Sequence, residues 1–262
     1  MATDPHPFLD HPGPIALAHQ GGGLEPAGEH RTENTMAAFQ NAVDLGFRYL
    51  EADVQTTSDG VMVAFHDDTL DRLTDRTGKV SDMPWSEVQQ AEIVGGHPII
   101  RIEELWERFG AQRFNLEAKS DRSLEAMTTW IRGHEQFDRV CVASFNILRL
   151  RKFRKRFGSD LCTSTTILDT IGLRLAGWHL PVPGIGGDAA QVPVKQWFLP
   201  VVDRRFVDAA HDRGMHVHVW TVDEADEMDR LLDLGVDGLI SDRPSVLKQA
   251  LESRGEWSSA PA

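Results

Sequence analysis

Cysteine is nearly missing from this chain, and positive charge is scarce beside negative. The two cysteines in 262 residues, Cys141 and Cys162, give no disulfide framework and no metal-ligand spacing. Both sit in apolar, strand-like runs and read as small core residues. Twenty-seven lysines and arginines face 40 acids, for a formal net charge of −13. Such a chain repels nucleic acid and anionic membranes as a whole, so neither a nucleic-acid partner nor stable membrane association is expected. An anionic substrate must then be met by a local cationic centre. No apolar run approaches the ~20 residues that span a bilayer. The opening MATDPHPFLDHPGPIALAH lacks the basic region and apolar core of a signal peptide, which makes the cytoplasm the expected location. A Gly-rich nucleotide loop is also missing, since GIGGDA at 184–189 has incomplete spacing and opens no helix. Without a low-complexity linker, one domain over 15–255 is expected. Before it lies a lead of residues 1–14, kept extended along the surface by Pro5, Pro7, Pro12 and Pro14. After it comes a frayed tail, 256–262. No feature of the sequence speaks to oligomeric state.

What is present is alternation. Strand-like runs occur at 15–19, 48–54, 61–66, 113–119, 140–144, 161–167, 189–193, 216–222 and 238–241, and amphipathic helical patterns separate most of them. Asn34 can cap a helix whose Met36, Phe39 and Val43 share a face. Ser123, Asn146 and Asp223 precede similar patterns, and Pro244 suits a first helical turn. About eight β-α units in roughly 250 residues match a single-domain α/β fold, the (β/α)8 TIM barrel, with an open doubly wound sheet as the alternative. Asp59-Gly60 is a hairpin signal. It makes 61–66 an extra antiparallel strand after the second barrel strand.

The run YLEADV places Glu51 and Asp53 two residues apart, on one face of a strand. Leu50, Ala52 and Val54 take the opposite face, toward helices, so the acids point inward near the strand's C-terminal end, where barrel active sites lie. FNLEAK repeats the pattern with Glu117 and Lys119. Three carboxylates without cysteine make a hard, oxygen-rich site suited to Mg2+ or Ca2+. His19 and His66 end neighbouring runs at the same rim, as a general acid and a general base would. Gly21, Gly22 and Gly23 after His19 permit close backbone approach to a ligand.

The ordered set His19-Gln20-Gly21, Glu33-Asn34-Thr35, Glu51-Ala52-Asp53, Asp59-Gly60, His66-Asp67, Glu117-Ala118-Lys119, Val219-Trp220-Thr221-Val222, Gly235-Val236-Asp237-Gly238 and Asp242-Arg243-Pro244 resembles the glycerophosphodiester phosphodiesterase family over about 15–245. The resemblance implies a distorted (β/α)8 barrel and a hydrolase that splits a glycerophosphodiester into glycerol 3-phosphate and an alcohol. In it Glu51, Asp53 and Glu117 would hold the divalent metal, His19 and His66 would trade protons, and Lys119 would contact phosphate. Trp220 would lie at the substrate rim, its other reading being barrel-mouth packing. A substrate hydroxyl beside the phosphate would attack first, giving a cyclic phosphate that water opens. Related specificities, a lysophospholipase D or a cyclising lyase, and a non-catalytic phosphodiester-binding barrel, are the alternatives.

Two departures stand out. Gln20 replaces the family's usual arginine and would meet the substrate with hydrogen bonds but no charge. The gap from His19 to Glu33 is long, and its Arg31 either swings toward the phosphate or stays solvated; His30 reads as a loop residue. Glu33 either adds to the metal site or orients His19, or else is a helix-start acid favoured by the dipole. His216 and His218 share a face with Trp220 and point either to the mouth or into the core. The basic run RLRKFRKR, 149–156, is a solvated helix face or a weak patch for anionic membranes. The short polar segment 67–101 favours small soluble substrates.

Overall fold

The computed structural model describes residues 5–23, 32–196 and 199–259. The first stave, β1 (Ile15–Ala18), leads to α1 (Met36–Asp44), β2 (Tyr49–Thr56) and the short β3 (Met62–Ala64). A small excursion follows, with α2 (Trp85–Val88), β4 (Glu92–Ile93) and β5 (His97–Pro98), before α3 (Ile102–Arg108) and β6 (Arg113–Ala118). Then come α4 (Asp121–His134), β7 (Val140–Ala143), α5 (Ile147–Phe157), β8 (Cys162–Thr163) and α6 (Ile167–Ala176). Next are β9 (Ala189–Pro193), the ribbon of β10 (Lys195–Gln196) and β11 (Leu199–Pro200), and α7 (Arg204–His211). The chain finishes with β12 (His216–Trp220), α8 (Ala225–Asp233), β13 (Gly238–Ser241) and α9 (Pro244–Arg254).

Parallel pairing runs β8-β7-β6-β2-β1-β13-β12-β9. A single parallel bridge, Ser164 to Ala189, links β8 back to β9, and Asp188 Oδ2 accepts from the Thr163 amide across this thin seam at 2.8 Å. The result is the nearly closed eight-stranded barrel expected. The surplus ninth strand is the hairpin arm: β3 pairs antiparallel with β2, Val54 opposite Ala64.

Strand alternation divides the core in two. Leu50, Ala52 and Val54 of β2 and Phe114, Leu116 and Ala118 of β6 face the helix layer. Ile15, Leu17, Tyr49, Cys141, Cys162, Ala189 and Ile240 fill the barrel. Both cysteines are free, buried core residues. Above this apolar floor the interior turns polar. Asn115 on β6 and Gln191 on β9, strands that are not neighbours, exchange bonds across the barrel at 3.0 and 3.3 Å. His218 lies fully buried beside Gln191. It therefore belongs to the core rather than the mouth.

Several local expectations are corrected. The proline-rich lead does not run along the surface over residues 5–14. Pro7–Leu9 form a 3-10 turn that drives Phe8 and Leu9 into the barrel's lower end. Arg113 Nη1 pins that turn by donating to the carbonyls of Phe8 and Asp10, each at 2.8 Å, and to the Tyr49 hydroxyl. A lead carrying Phe and Leu gains more from filling an open barrel end than from lying on water. Trp257 of the tail packs edge-on against Phe47. Thr35, not Asn34, caps α1 by accepting from the Ala38 amide, and Ser120 caps α4 one turn before Ser123. Asp223 does not cap α8, whose N-cap is Glu224; its carboxylate accepts from the Asp242 amide at 2.8 Å.

Two measurements follow. Truncating the buried Phe8 leaves a cavity, so Phe8→Ala is expected to lower stability to urea by about 3–5 kcal/mol. Burial, with His216 adding to it, holds His218 down at about 3, against ~6.5 in an unfolded chain. Below that higher value the unfolded state takes up a proton that the native state refuses. Stability is thus full above pH ~6.5 and falls with acidification, by up to ~1.4 kcal/mol per unit from this residue. His218→Gln should flatten the decline between about pH 6.5 and 5, read by urea midpoints.

Candidate functional site

Strand register brings the acids together. On β2, Glu51 and Asp53 face inward, and parallel pairing sets Asp53 beside Glu117 of β6. One carboxylate oxygen from each of Glu51, Asp53 and Glu117 lies within 4.8 Å of the other two. Lys119, just beyond β6, places Nζ 2.9 Å from Asp53 and 3.0 Å from Glu117. Burial alone would lower its ammonium, yet the two carboxylates hold it firmly charged. Burial, then the charge of Asp53, pushes the Glu51 carboxyl well up. Burial raises Glu117 too, against the pull of Lys119. Asp53 goes the other way. Burial raises it, but the charge and hydrogen bond of Lys119, with help from His66 and Asn34, keep it low. One ammonium thus settles Asp53 and leaves Glu51 and Glu117 short of positive charge. An all-oxygen cluster with such a deficit fits a hard divalent cation.

His19 occupies the turn that ends β1. Its Nδ1 is 2.7 Å from Oδ1 of Asp242, just past the adjacent β13, and its Nε2 is 4.0 Å from Glu51. Burial would depress this imidazole, but the Asp242 hydrogen bond and the charges of Glu51, Asp242 and Asp53 raise it to about 9. Gly21 and Gly22 are required by packing. Both have positive φ, and a Cβ would meet Ala38 at 2.9 Å from the first and Pro244 at 2.8 Å from the second.

His66 reaches the cluster from the hairpin arm, near enough for its charge to lower both Asp53 and Glu117. Its Nδ1 is 2.7 Å from Asp67 Oδ1. Arg72 donates to Asp67 through Nε at 2.6 Å and through Nη2 at 2.9 Å, and Nη2 also reaches Glu33 at 2.8 Å. The Arg72 hydrogen bond is the main reason the Asp67 carboxyl falls to about 2. Glu33 is thus the far anchor of a chain, Glu33–Arg72–Asp67–His66.

The other expected residues divide. Gln20 was expected against substrate, but it is buried and committed to the acids: its amide N–H donates to Glu51 at 2.8 Å and its Nε2 to Asp53 at 2.7 Å. Asn34, in left-handed backbone, donates to the same Asp53 oxygen at 2.9 Å. Trp220 ends β12, the strand beside β13, its ring edge-on to Phe145 at 5.6 Å. Arg31 and His30 lie outside the described residues. Sequence reasoning missed Asp242, Arg72 and the inward role of Asn34. Asp242 had a readable signal, since it ends the last strand as His19 ends the first, and a closed barrel makes those strands neighbours.

The profile of the "Glycerophosphoryl diester phosphodiesterase family" matches residues 19–246. A Mycobacterium tuberculosis protein named probable glycerophosphodiester phosphodiesterase 2 is 36% identical over 261 residues, covering 97% of this chain and 96% of its own. A putative glycerophosphoryl diester phosphodiesterase from Silicibacter pomeroyi has the same fold, with a TM-score of 0.76 at 24% identity, over 96% of this chain and 98% of its own. So has an Oleispira antarctica phosphodiesterase solved with the product sn-glycerol-3-phosphate, with a TM-score of 0.75 at 23% identity, over 92% and 97%.

The unmet demand for positive charge is testable without any substrate. Millimolar-range Mg2+ or Ca2+ is expected to raise the melting temperature of the chain. Glu51→Gln should stabilise the metal-free protein, by about 1 kcal/mol, and abolish the rise.

Proposed function

The chain belongs to the glycerophosphoryl diester phosphodiesterase family, and from that premise we propose that it hydrolyses glycerophosphodiesters to glycerol 3-phosphate and an alcohol. In this reading Glu51, Asp53 and Glu117 hold Mg2+ or Ca2+, and His19 and His66 are the proton carriers. The observation that supports it most is the matched setting of the two imidazoles. Each has Nδ1 tied to a carboxylate, Asp242 or Asp67, at 2.7 Å, so each keeps Nε2 for a travelling proton.

A phosphodiester monoanion repels nucleophiles, so the site must neutralise charge on its phosphoryl oxygens. Lys119 brings one positive charge, and a divalent cation when bound supplies further Lewis-acid neutralisation. A substrate hydroxyl next to the phosphate gives its proton to one imidazole and forms a new P–O bond. The bond to the departing alcohol breaks as the other imidazole protonates its oxygen. Water then opens the cyclic phosphate with the imidazoles in exchanged roles. Gln20 and Asn34 act through Asp53, by fixing the carboxylate that Lys119 pairs with. Arg72 acts through Asp67, as a positioning residue for His66. At the place of the missing arginine beside His19, Gln20 donates neutral hydrogen bonds to two acids, and among the described residues the charge comes from Lys119.

A second substrate class is favoured by one observation. Phe145 against Trp220 makes an apolar lip, which suits the acyl chain that a lysophospholipid keeps on its glycerol as the headgroup alcohol departs, more than the polar segment 67–101 does.

The test is release of glycerol 3-phosphate from glycerophosphocholine, with Mg2+, Ca2+ or chelator. Activity should vanish with chelator and return with the ion; indifference to chelator would remove the metal from the reading. His19→Asn and His66→Asn should each lower kcat by ~10²–10⁴-fold. Arg72→Ala should lower kcat by roughly tenfold at nearly unchanged KM, because it loosens a proton carrier and removes none. With lysophosphatidylcholine as substrate, Phe145→Ala should raise KM selectively.

A further inference from the structure

Strand order divides the barrel mouth into two halves of opposite character. Consecutive strands β13, β1, β2 and β6 carry the acids, His19 and Lys119. The strands β7, β8, β9 and β12 make the other half. Its edge bears Phe145, Leu148, Ile167, Leu168, Ile171 and Leu199, each at least half exposed. Phe145 follows β7, Leu148 opens α5, the three residues from 167 to 171 open α6, and Leu199 tips the ribbon after β9. Isolated apolar side chains on a surface need no explanation; a set crowning successive loops at one end of a barrel marks an interaction surface.

The charge beside this apolar rim says what covers it. Leu150, Phe153 and Phe157 bury one face of α5, which turns Leu148, Arg151, Lys152 and Lys155 outward. Arg149, Arg154 and Arg156 are taken by Asp121, Asp169 and Glu125. Arg151, Lys152 and Lys155 make no ion pair among the described residues. Lys195, also exposed, stands on the ribbon with Leu199. At 1.5 Å per residue, Lys152 lies about 6 Å and Lys155 about 10 Å below Leu148 along the helix. That offset matches the depth between the acyl boundary of a lipid leaflet and its headgroups, the layer in which interfacial apolar residues settle.

We propose that this half-rim docks reversibly on an anionic lipid surface. The apolar tips enter the interfacial layer, and Arg151, Lys152, Lys155 and Lys195 meet lipid phosphates. The expectation of no stable membrane association followed from the net charge of −13. Charges beyond a Debye length of ~8 Å are largely screened, so a basic patch in contact with the lipid outweighs acids on the far side. The mouth then opens at the membrane surface, where phosphodiester headgroups are released. The docking itself requires no turnover.

Co-sedimentation of the full chain with vesicles tests this, using phosphatidylcholine alone or with roughly one lipid in three as phosphatidylglycerol. Binding to the anionic vesicles is expected, weakened by salt and little with phosphatidylcholine alone. The pairs Leu148→Ser/Leu168→Ser and Arg151→Glu/Lys152→Glu should each weaken it by about tenfold or more. Circular dichroism and glycerophosphocholine hydrolysis should stay unchanged in both. Failure to bind either vesicle, equal binding to both, or undiminished binding by either pair would overturn the proposal. So would a concentration-dependent dimer abolished by Leu148→Ser/Leu168→Ser, which would give the rim to a second copy. Vesicle binding without hydrolysis of any diester would instead overturn the proposed function and leave the docking surface standing.

Discussion

Three carboxylates within 4.8 Å of one another, two of them buried, cannot all stay ionised on protein partners alone. Lys119 pairs with Asp53 and Glu117, and the amides of Gln20 and Asn34 complete Asp53. Glu51 is left with the Gln20 backbone N–H and a distant His19. That residual demand for positive charge governs the mouth. It keeps Lys119 charged, raises His19, and sets the hard-ion character of the cluster.

The fold meets this demand through register. Two inward positions on β2 and one on β6, paired in parallel, suffice to focus the acids. The histidines are then aimed from outside the strands by second carboxylates. Asp242 orients His19 across the β1–β13 junction, and Asp67 orients His66 from the hairpin arm, itself braced by Arg72 and Glu33. Below, the Asn115–Gln191 bond across the barrel gives the site a polar floor. Phe8 and Leu9 close the far end, where an open barrel would admit water to apolar walls.

The division of the rim follows from the same closure. Charged chemistry gathers on one run of adjacent strands, and the loops of the remaining strands are free to carry apolar tips. The first half suits a phosphodiester, and the second suits whatever apolar material or surface comes with it.

Periodicity and local turn chemistry were enough to reveal the staves, the antiparallel arm at 61–66, and the shared face of Glu51, Asp53, Glu117 and Lys119. Side-chain direction along a strand depends only on parity, so those four could be read directly. Partners distant in sequence could not. Asp242 is 223 residues from His19 and Arg72 is 39 from Glu33, and no local pattern encodes such contacts. Nor could a linear reading show that Gln20 turns onto the acids, that Phe8 plugs the barrel, or that apolar residues of separate loops share one rim. Sequence determined which faces are apolar and which acids point the same way, because both depend on spacing along one element. Closure of the barrel decided who meets whom, because it alone sets distances between elements.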